Sequence, residues 1–194
     1  MANKLNELSS INIMLTNVGL APVTSIESSN PMVGTAQSIL KEVSHSVQSE
    51  GWSFNTEDGY PFSPDNGFIA IPSNVLQFDV QQYDVRDVIL RGGKLYDKRA
   101  HDFVKEPIEL NVIWCFDYDD LPEVFKQYIV IRAANLFASR AVGSPESAKY
   151  SEKEEGLARA NVLEYETQQG DYNMLGTSDN KKINTFLPFN AIYR

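Results

Sequence analysis

The spacing of the apolar residues changes twice along this chain. Up to about Gly51 they recur every three or four residues; from there to Tyr118 they alternate; from Asp120 to Gly170 the spacing of three and four returns. A stripe at helical spacing does not serve as a strand, so helices must lie at both ends with the sheet between them. The expectation is an α+β fold. Residues 1–50 and 119–170 would supply two N-terminal and two C-terminal long helices packed as a four-helix bundle. Residues 51–118 would form an inserted antiparallel β domain, and 171–194 an extended C-terminal tail.

The first helix is expected over Asn3–Val18, with Leu5, Leu8, Ile11 or Asn12, Leu15 and Val18 on one side, and Gly19 and Pro22 as its stop. The Ser/Thr-rich stretch from Ala21 ends in Asn30-Pro31, a cap followed by a first-turn proline. The helix it opens runs to about Glu50 and buries Ala36, Leu40, Val43 and Val47, with Met32 and Ile39 beside them. After Gly51, Trp52 and Phe54 alternate with Ser53 and Asn55 and predict a strand. Asp58-Gly59, Pro61, Pro64 and Asp65-Asn66-Gly67 predict turns, and Phe68–Ile71 and Val75–Val80 predict further strands. Gly92-Gly93 predicts a tight hairpin that sets Leu90 opposite Leu95, Ile89 opposite Tyr96, and Arg91 opposite Lys94. The last pair sets like charge against like charge and asks for a nearby acidic group or a different turn. Ile108, Leu110, Val112, Trp114 and Phe116 alternate with Glu109, Asn111, Ile113, Cys115 and Asp117 and make the best strand in the chain.

Asp120-Leu121-Pro122-Glu123 reads as the start of the third helix, with Asp120 and Glu123 as a capping box. Phe125, Tyr128, Ile129, Arg132, Ala133, Leu136, Phe137 and Arg140 then form its stripe. Gly143, Ser144 and Pro145 predict a sharp corner. The helix beyond it is charged, with Glu146, Glu152, Lys153, Glu154, Glu155, Arg159, Glu164 and Glu166 against a thin stripe of Ala148, Leu157, Ala160 or Asn161, and Tyr165. Such a helix gains little from its own core.

Net charge is -9, with no Lys/Arg cluster to reverse it locally, which disfavours ordinary DNA or anionic-membrane binding. A single cysteine, Cys115, excludes an intrachain disulfide and suits a reducing cytoplasm. The N-terminal residues run into an amphipathic pattern, so neither a signal peptide nor a membrane span is expected. No phosphate loop, nucleophile elbow or zinc-protease motif occurs, and His45, His101 and Cys115 have no ligand spacing, so neither cofactor nor metal is expected. The dense carboxylates Asp117, Asp119, Asp120 and Glu123 admit a glycosidase reading, which needs two carboxylates about 5 to 9 Å apart; capping is the simpler use. The tail carries Met174, Leu175, Ile183, Phe186, Leu187, Phe189, Ile192 and Tyr193, too apolar to stay in water. It either lies on its own domain or grips a partner chain.

Five segments in order carry a resemblance. The first helix closes on Gly19-Leu20-Ala21-Pro22-Val23, followed by Gly51-Trp52-Ser53-Phe54-Asn55 and then Arg91-Gly92-Gly93-Lys94-Leu95-Tyr96-Asp97. Leu121-Pro122-Glu123-Val124-Phe125 and Gly170-Asp171-Tyr172-Asn173-Met174-Leu175 complete the series. Together, from about residue 4 to 176, they resemble the tail tubular protein A family, the adaptor or gatekeeper proteins of short-tailed podovirus-type phages. The resemblance implies a structural, non-enzymatic protein of the virion tail, assembled in the host cytoplasm. It implies a ring of twelve copies beneath the portal protein, with the nozzle protein (tail tubular protein B) and tail fibre protein as further partners and DNA passing through unbound. In that setting Phe186, Leu187, Phe189, Ile192 and Tyr193 would grip the portal or a neighbouring subunit, and Glu152, Glu154 and Glu155 would line the lumen. The rival readings are a tail-associated glycan hydrolase using the carboxylates from Asp117 to Glu123, and a cytoplasmic helical binding module.

Overall fold

The computed structural model describes residues 4–27, 30–81, 84–141 and 145–169, and of residues 141 and 145–151 the backbone alone. In chain order the elements are α1 (Glu7–Asn17), α2 (Pro31–Gln48), β1 (Thr56–Phe62), β2 (Val75–Val80), β3 (Val88–Arg91), β4 (Lys94–Asp97), β5 (Asp102–Phe103), β6 (Ile108–Trp114), a 3-10 turn (Tyr118–Asp120), α3 (Glu123–Ala141) and α4 (Pro145–Gln169). The fold is α+β, four helices with two small antiparallel sheets.

Local sequence explains both ends of the first helix and the start of the second. Asn6 and Ser9 form a reciprocal capping box: the Asn6 side chain accepts from the Ser9 amide at 2.8 Å, and the Ser9 hydroxyl accepts from the Asn6 amide at 2.9 Å. At the other end Gly19, at φ 77, lets Leu20 N–H reach back to the Leu15 carbonyl and its own N–H to Thr16, the paired bonds of a Schellman stop. Asn30 caps α2 through the Met32 amide with Pro31 in its first turn.

The helices share one hydrophobic cluster. Ile11, Met14 and Leu15 of α1 meet Val33, Ala36, Ile39, Leu40, Val43 and Val47 of α2, and both meet Phe125, Ile129, Ala133 and Phe137 of α3. On α1 the buried stripe runs through Met14, while Leu5 and Leu8 are half-buried; on α2 it takes in Val33 and Ile39 and leaves Met32 out. Helix α3 touches all three of the others, so it is buried on more than one side and Val130 and Ala134 join its stripe. Helix α4 packs chiefly along α3. It buries Ala158 and Val162 with Tyr165 beside them, whereas Leu157, expected inside, is 60% exposed and Leu163 is 49% exposed. The predicted α4 stripe was therefore rotated about the helix axis, because few apolar residues mark it and the contacts that hold α4 are largely polar. Residues 142–144 of the predicted corner, and the whole of 171–194, lie outside the described residues.

A second hydrophobic cluster, Phe62, Ile69, Leu95, Val104, Ile108, Leu110, Val112 and Trp114, belongs to the β part. The alternation of β6 holds as read: Ile108, Leu110, Val112 and Trp114 point inward, but Phe116 lies beyond the strand and is part-exposed. β6 is the centre of the sheet β1-β6-β2, and β3-β4-β5 form the other sheet. The Asp58-Gly59 and Pro61 turn signals fall inside a strand. Gly59 (φ 71) sits at a bulge between Glu57 and Tyr60, and Pro61 is tolerated because β1 is an edge strand with no partner on its outer side. Phe68–Ile71 forms only isolated bridges, such as Ala70 with Lys94.

The predicted strand at Trp52–Asn55 is a turn, and Asn55 is the reason. Its side chain is 1% exposed; it accepts from the Trp52 amide at 2.9 Å and donates to the carbonyls of Gln48 at 2.9 Å and Trp114 at 2.7 Å. Three chain segments, the end of α2, the turn and the end of β6, are thus tied at one buried amide. Gln48 repeats the device one turn earlier, accepting from the Phe116 amide at 2.7 Å and donating to its carbonyl at 3.0 Å. Both aromatic residues of the turn still pack inward, Trp52 and Phe54 each against Phe125.

Candidate functional site

The carboxylates from Asp117 to Glu123 meet at the junction of sheet and helices. The expected capping box between Asp120 and Glu123 does not form. The helix begins after Pro122, whose carbonyl accepts from Phe125 and Lys126, and Glu123 turns instead to the other end of the chain. Its carboxylate accepts from the Leu5 amide at 2.9 Å, and Asp119 accepts from the Glu7 amide at 2.9 Å, so two acids sit at the N-terminal end of α1, where the helix dipole favours them. Lys126, 4% exposed, completes the clamp by donating to the carbonyls of Asp119 at 2.7 Å and Leu5 at 3.2 Å. The Tyr118 hydroxyl, in contact with Ser10 at 2.8 Å, donates to the Lys126 carbonyl at 3.0 Å, and burial pushes its pKa up to about 12.

Asp117 and Asp120 remain exposed on the rim of a cleft of about 740 Å³ whose floor includes Leu40, Ser44 and Phe116. Lys41, His45 and Cys115 line the same cleft, and burial with the nearby Asp117 charge pushes the Cys115 thiol up. A thiol held protonated is a poor nucleophile. Among the described residues no group of three His, Cys, Asp or Glu side chains is placed to hold a metal. Two of the four carboxylates considered for hydrolysis are thus engaged with backbone amides.

Along α4 the acids divide by role. Glu155 accepts from Asn135 at 2.9 Å and lies 3.8 Å from Arg132; Glu166 accepts from the Ser53 amide at 3.0 Å and its hydroxyl at 2.9 Å. Arg159 pairs with Glu50 at 2.6 Å and lies over the Trp52 and Tyr128 rings. These contacts fasten α4 to α2, α3 and the turn where its apolar stripe is too thin to do so. Glu152 and Glu154 are exposed, and Glu152 borders a groove shared with Glu42 and Ser139. The tail residues Phe186, Leu187, Phe189, Ile192 and Tyr193 lie outside the described residues.

The hairpin register is as expected, with Arg91 opposite Lys94 and both turn glycines at positive φ. The like-charge conflict is relieved by rings and not by an acid. Arg91 stacks 3.9 Å above Tyr96, while Lys94 turns away to lie 4.1 Å above Phe68. Phe103 sits edge-on to both rings. Sequence reasoning missed this cation-and-ring face. The like-charge pair was the signal that could have exposed it.

Among the described residues no helix is long and apolar enough to cross a membrane. Comparison with known proteins puts the chain among the structural proteins of bacteriophage tails, components of the virion. The family model described as tail tubular protein matches residues 8–172, and the chain belongs to that family. A tail tubular protein A from Klebsiella phage KP34 is 29% identical over 157 residues, covering 78% of this chain and 82% of the relative.

Proposed function

We propose that this tail protein is an adaptor subunit: copies form a ring, twelve by the resemblance, between the portal protein and the nozzle protein, with tail fibre protein attached nearby and DNA passing through the bore. The observation that carries this reading is that the family match spans both the helical and the β parts of the chain, from residue 8 to 172. In this reading residues 1–50 and 119–170 act as a helical domain, 51–118 as a β domain, and 171–194 as an arm whose Phe186, Leu187, Phe189, Ile192 and Tyr193 grip the portal or a neighbour. Exposed Leu157 and Leu163 on α4 fit a subunit that leaves apolar surface for its assembly to cover.

Of the three acids first assigned to the lumen, Glu155 is held by Asn135 and Glu152 borders the groove beside α2. Glu152, Glu154 and Glu155 are the acids proposed for the DNA path, where negative charge repels phosphate and keeps the channel from sticking. Light scattering and negative-stain imaging of the chain mixed with portal protein test the adaptor reading: ring-bearing complexes are expected, and a chain that stays monomeric and ignores portal refutes it. For the lumen, replacing Glu152, Glu154 and Glu155 together with Gln should slow genome delivery; unchanged delivery removes that assignment.

A further inference from the structure

Residues 84–106 carry six Lys or Arg against five Asp or Glu, so this stretch comes to about +1 in a chain whose total is -9, a local reversal that the sequence reading passed over. Three of the cations are neutralised in place: Arg86 by Asp84, Lys98 by Asp87, and Lys105 by Asp102. Arg91 and Lys94, at the hairpin end, are exposed and make no ion pair among the described residues. They lie on one face of the β3-β4-β5 sheet together with Tyr96 and Phe103, which face each other across the ladder, and with Phe68 alongside. These rings are half-exposed and belong to neither hydrophobic cluster. Half-buried Tyr and Phe beside an unpaired Arg have the composition of a protein-binding surface, with Lys94 adding charge at its rim. A base-stacking platform is a poorer fit, because the protein's own cations already cover two of the rings.

The same chain offers a complementary surface. The cleft between α2 and the Cys115–Asp120 segment has an apolar floor at Leu40 and Phe116, and its rim sets four acids, Glu7, Asp117, Asp119 and Asp120, against the single cation Lys41 beside His45. Glu7 and Asp119 have partners within the chain, but Asp117 and Asp120 make no ion pair among the described residues. We propose that the Arg91-Gly92-Gly93-Lys94 end of this sheet docks on the Asp117/Asp120 cleft of a second copy. The two surfaces are different patches, so the contact is heterologous and repeats from copy to copy, the kind of interface that closes into a ring. It also sets the locally positive part of one copy against the negative part of the next, offsetting the repulsion among chains that each carry -9. The proposal rests on the ring reading and names the contact that builds it.

Charge reversal tests it in rings assembled with portal protein. Arg91→Glu with Lys94→Glu, and separately Asp117→Lys with Asp120→Lys, should each weaken subunit association about 100-fold, about tenfold for each reversed charge. Circular dichroism should stay at the wild-type value, and the melting temperature should fall only by the few degrees that the two exposed cation-ring contacts supply. All four substitutions in one chain should restore rings, because every interface then carries both reversals. In a Cys115→Ser background, Lys94→Cys with Asp117→Cys should give a disulfide ladder of cross-linked copies in the assembled ring. Rings that form normally with either pair reversed, a quadruple variant no better than the pairs, or cross-links only to another tail protein would overturn the proposal and leave the ring reading standing. Loss of duplex DNA binding on reversal of Arg91 and Lys94, with rings intact, would also overturn it. A wild-type chain that forms no ring would overturn both.

Discussion

Replacing Asn55 with alanine should cost about half of the protein's stability. The side chain makes three bonds at a site 1% exposed, so none of the groups it leaves behind regains water easily. The Gln48 carbonyl keeps a second bond from the Gly51 amide, so its loss is about 1 kcal/mol. Severing the Trp52 amide and the Trp114 carbonyl from the Asn55 side chain costs about 1–3 kcal/mol each. The sum is about 3–7 kcal/mol, against a total stability of roughly 5–15 kcal/mol. Urea unfolding followed by tryptophan fluorescence is the assay, because Trp52 lies in the helical core and Trp114 in the β core. With a slope of about 2 kcal/mol/M the midpoint should fall by about 2–3 M with the slope unchanged. Asn55→Asp sharpens the test. It keeps the acceptor for the Trp52 amide but turns an oxygen toward two carbonyls, so at neutral pH it should be at least as harmful as alanine. A loss below about 1 kcal/mol for Asn55→Ala, or an Asn55→Asp variant more stable than Asn55→Ala at pH 7, would refute the account of Asn55 as the tie between the two parts.

Four further outcomes follow from the geometry. Gly51→Ala should lose about 2 kcal/mol by thermal unfolding, since φ is 75 and a Cβ would stand 2.8 Å from Ile113 Cδ1; adding Ile113→Val, which removes that atom, should recover the steric part and leave the strain. Lys126→Met should cost about 2 kcal/mol and raise hydrogen exchange at the start of α1, because two part-buried carbonyls lose a charged donor. Asp84 is held below the usual carboxylate range first of all by its bond to the Arg86 guanidinium, so it stabilises the fold above its unfolded pKa and ceases to as pH falls through its folded one. The stability gap between wild type and Asp84→Asn should therefore be full at pH 7 and close below about pH 4. Tyr118 shows the opposite sign: its folded pKa is raised to about 12, so its contribution is full below about pH 10 and is lost as pH rises toward 12. The advantage of wild type over Tyr118→Phe should shrink across that window in base-unfolding curves.

Much of the fold could be read without coordinates, because its signals are local. The Asn30-Pro31 start, the Gly19 stop, the alternation of Ile108 to Trp114 and the Gly92-Gly93 register each depend on residues a few positions apart, where sterics and backbone bonding leave few choices. The misread segments are those where a distant residue decided the outcome. Trp52–Asn55 alternates like a strand, yet Asn55 gains more by bonding to Gln48 and Trp114 than a ladder would offer. Glu123 stands where a capping box wants it, yet the Leu5 amide, 118 residues away in sequence, takes it. The outer and inner sides of α4 were confused because Glu155, Arg159 and Glu166 face inward toward polar partners on other elements, which no hydrophobic period records.

The sequence by itself determined the class of fold, the order of the elements and, through its resemblance, the family. The pairing of ends was decided only in three dimensions: which acids clamp α1, how two cations divide between two rings, and where an acidic cleft opens beside Phe116. The physical reason is one of range. Propensity, capping and turn geometry act over a few residues, whereas a buried hydrogen bond or a cation over a ring forms wherever the folded chain brings its partners together.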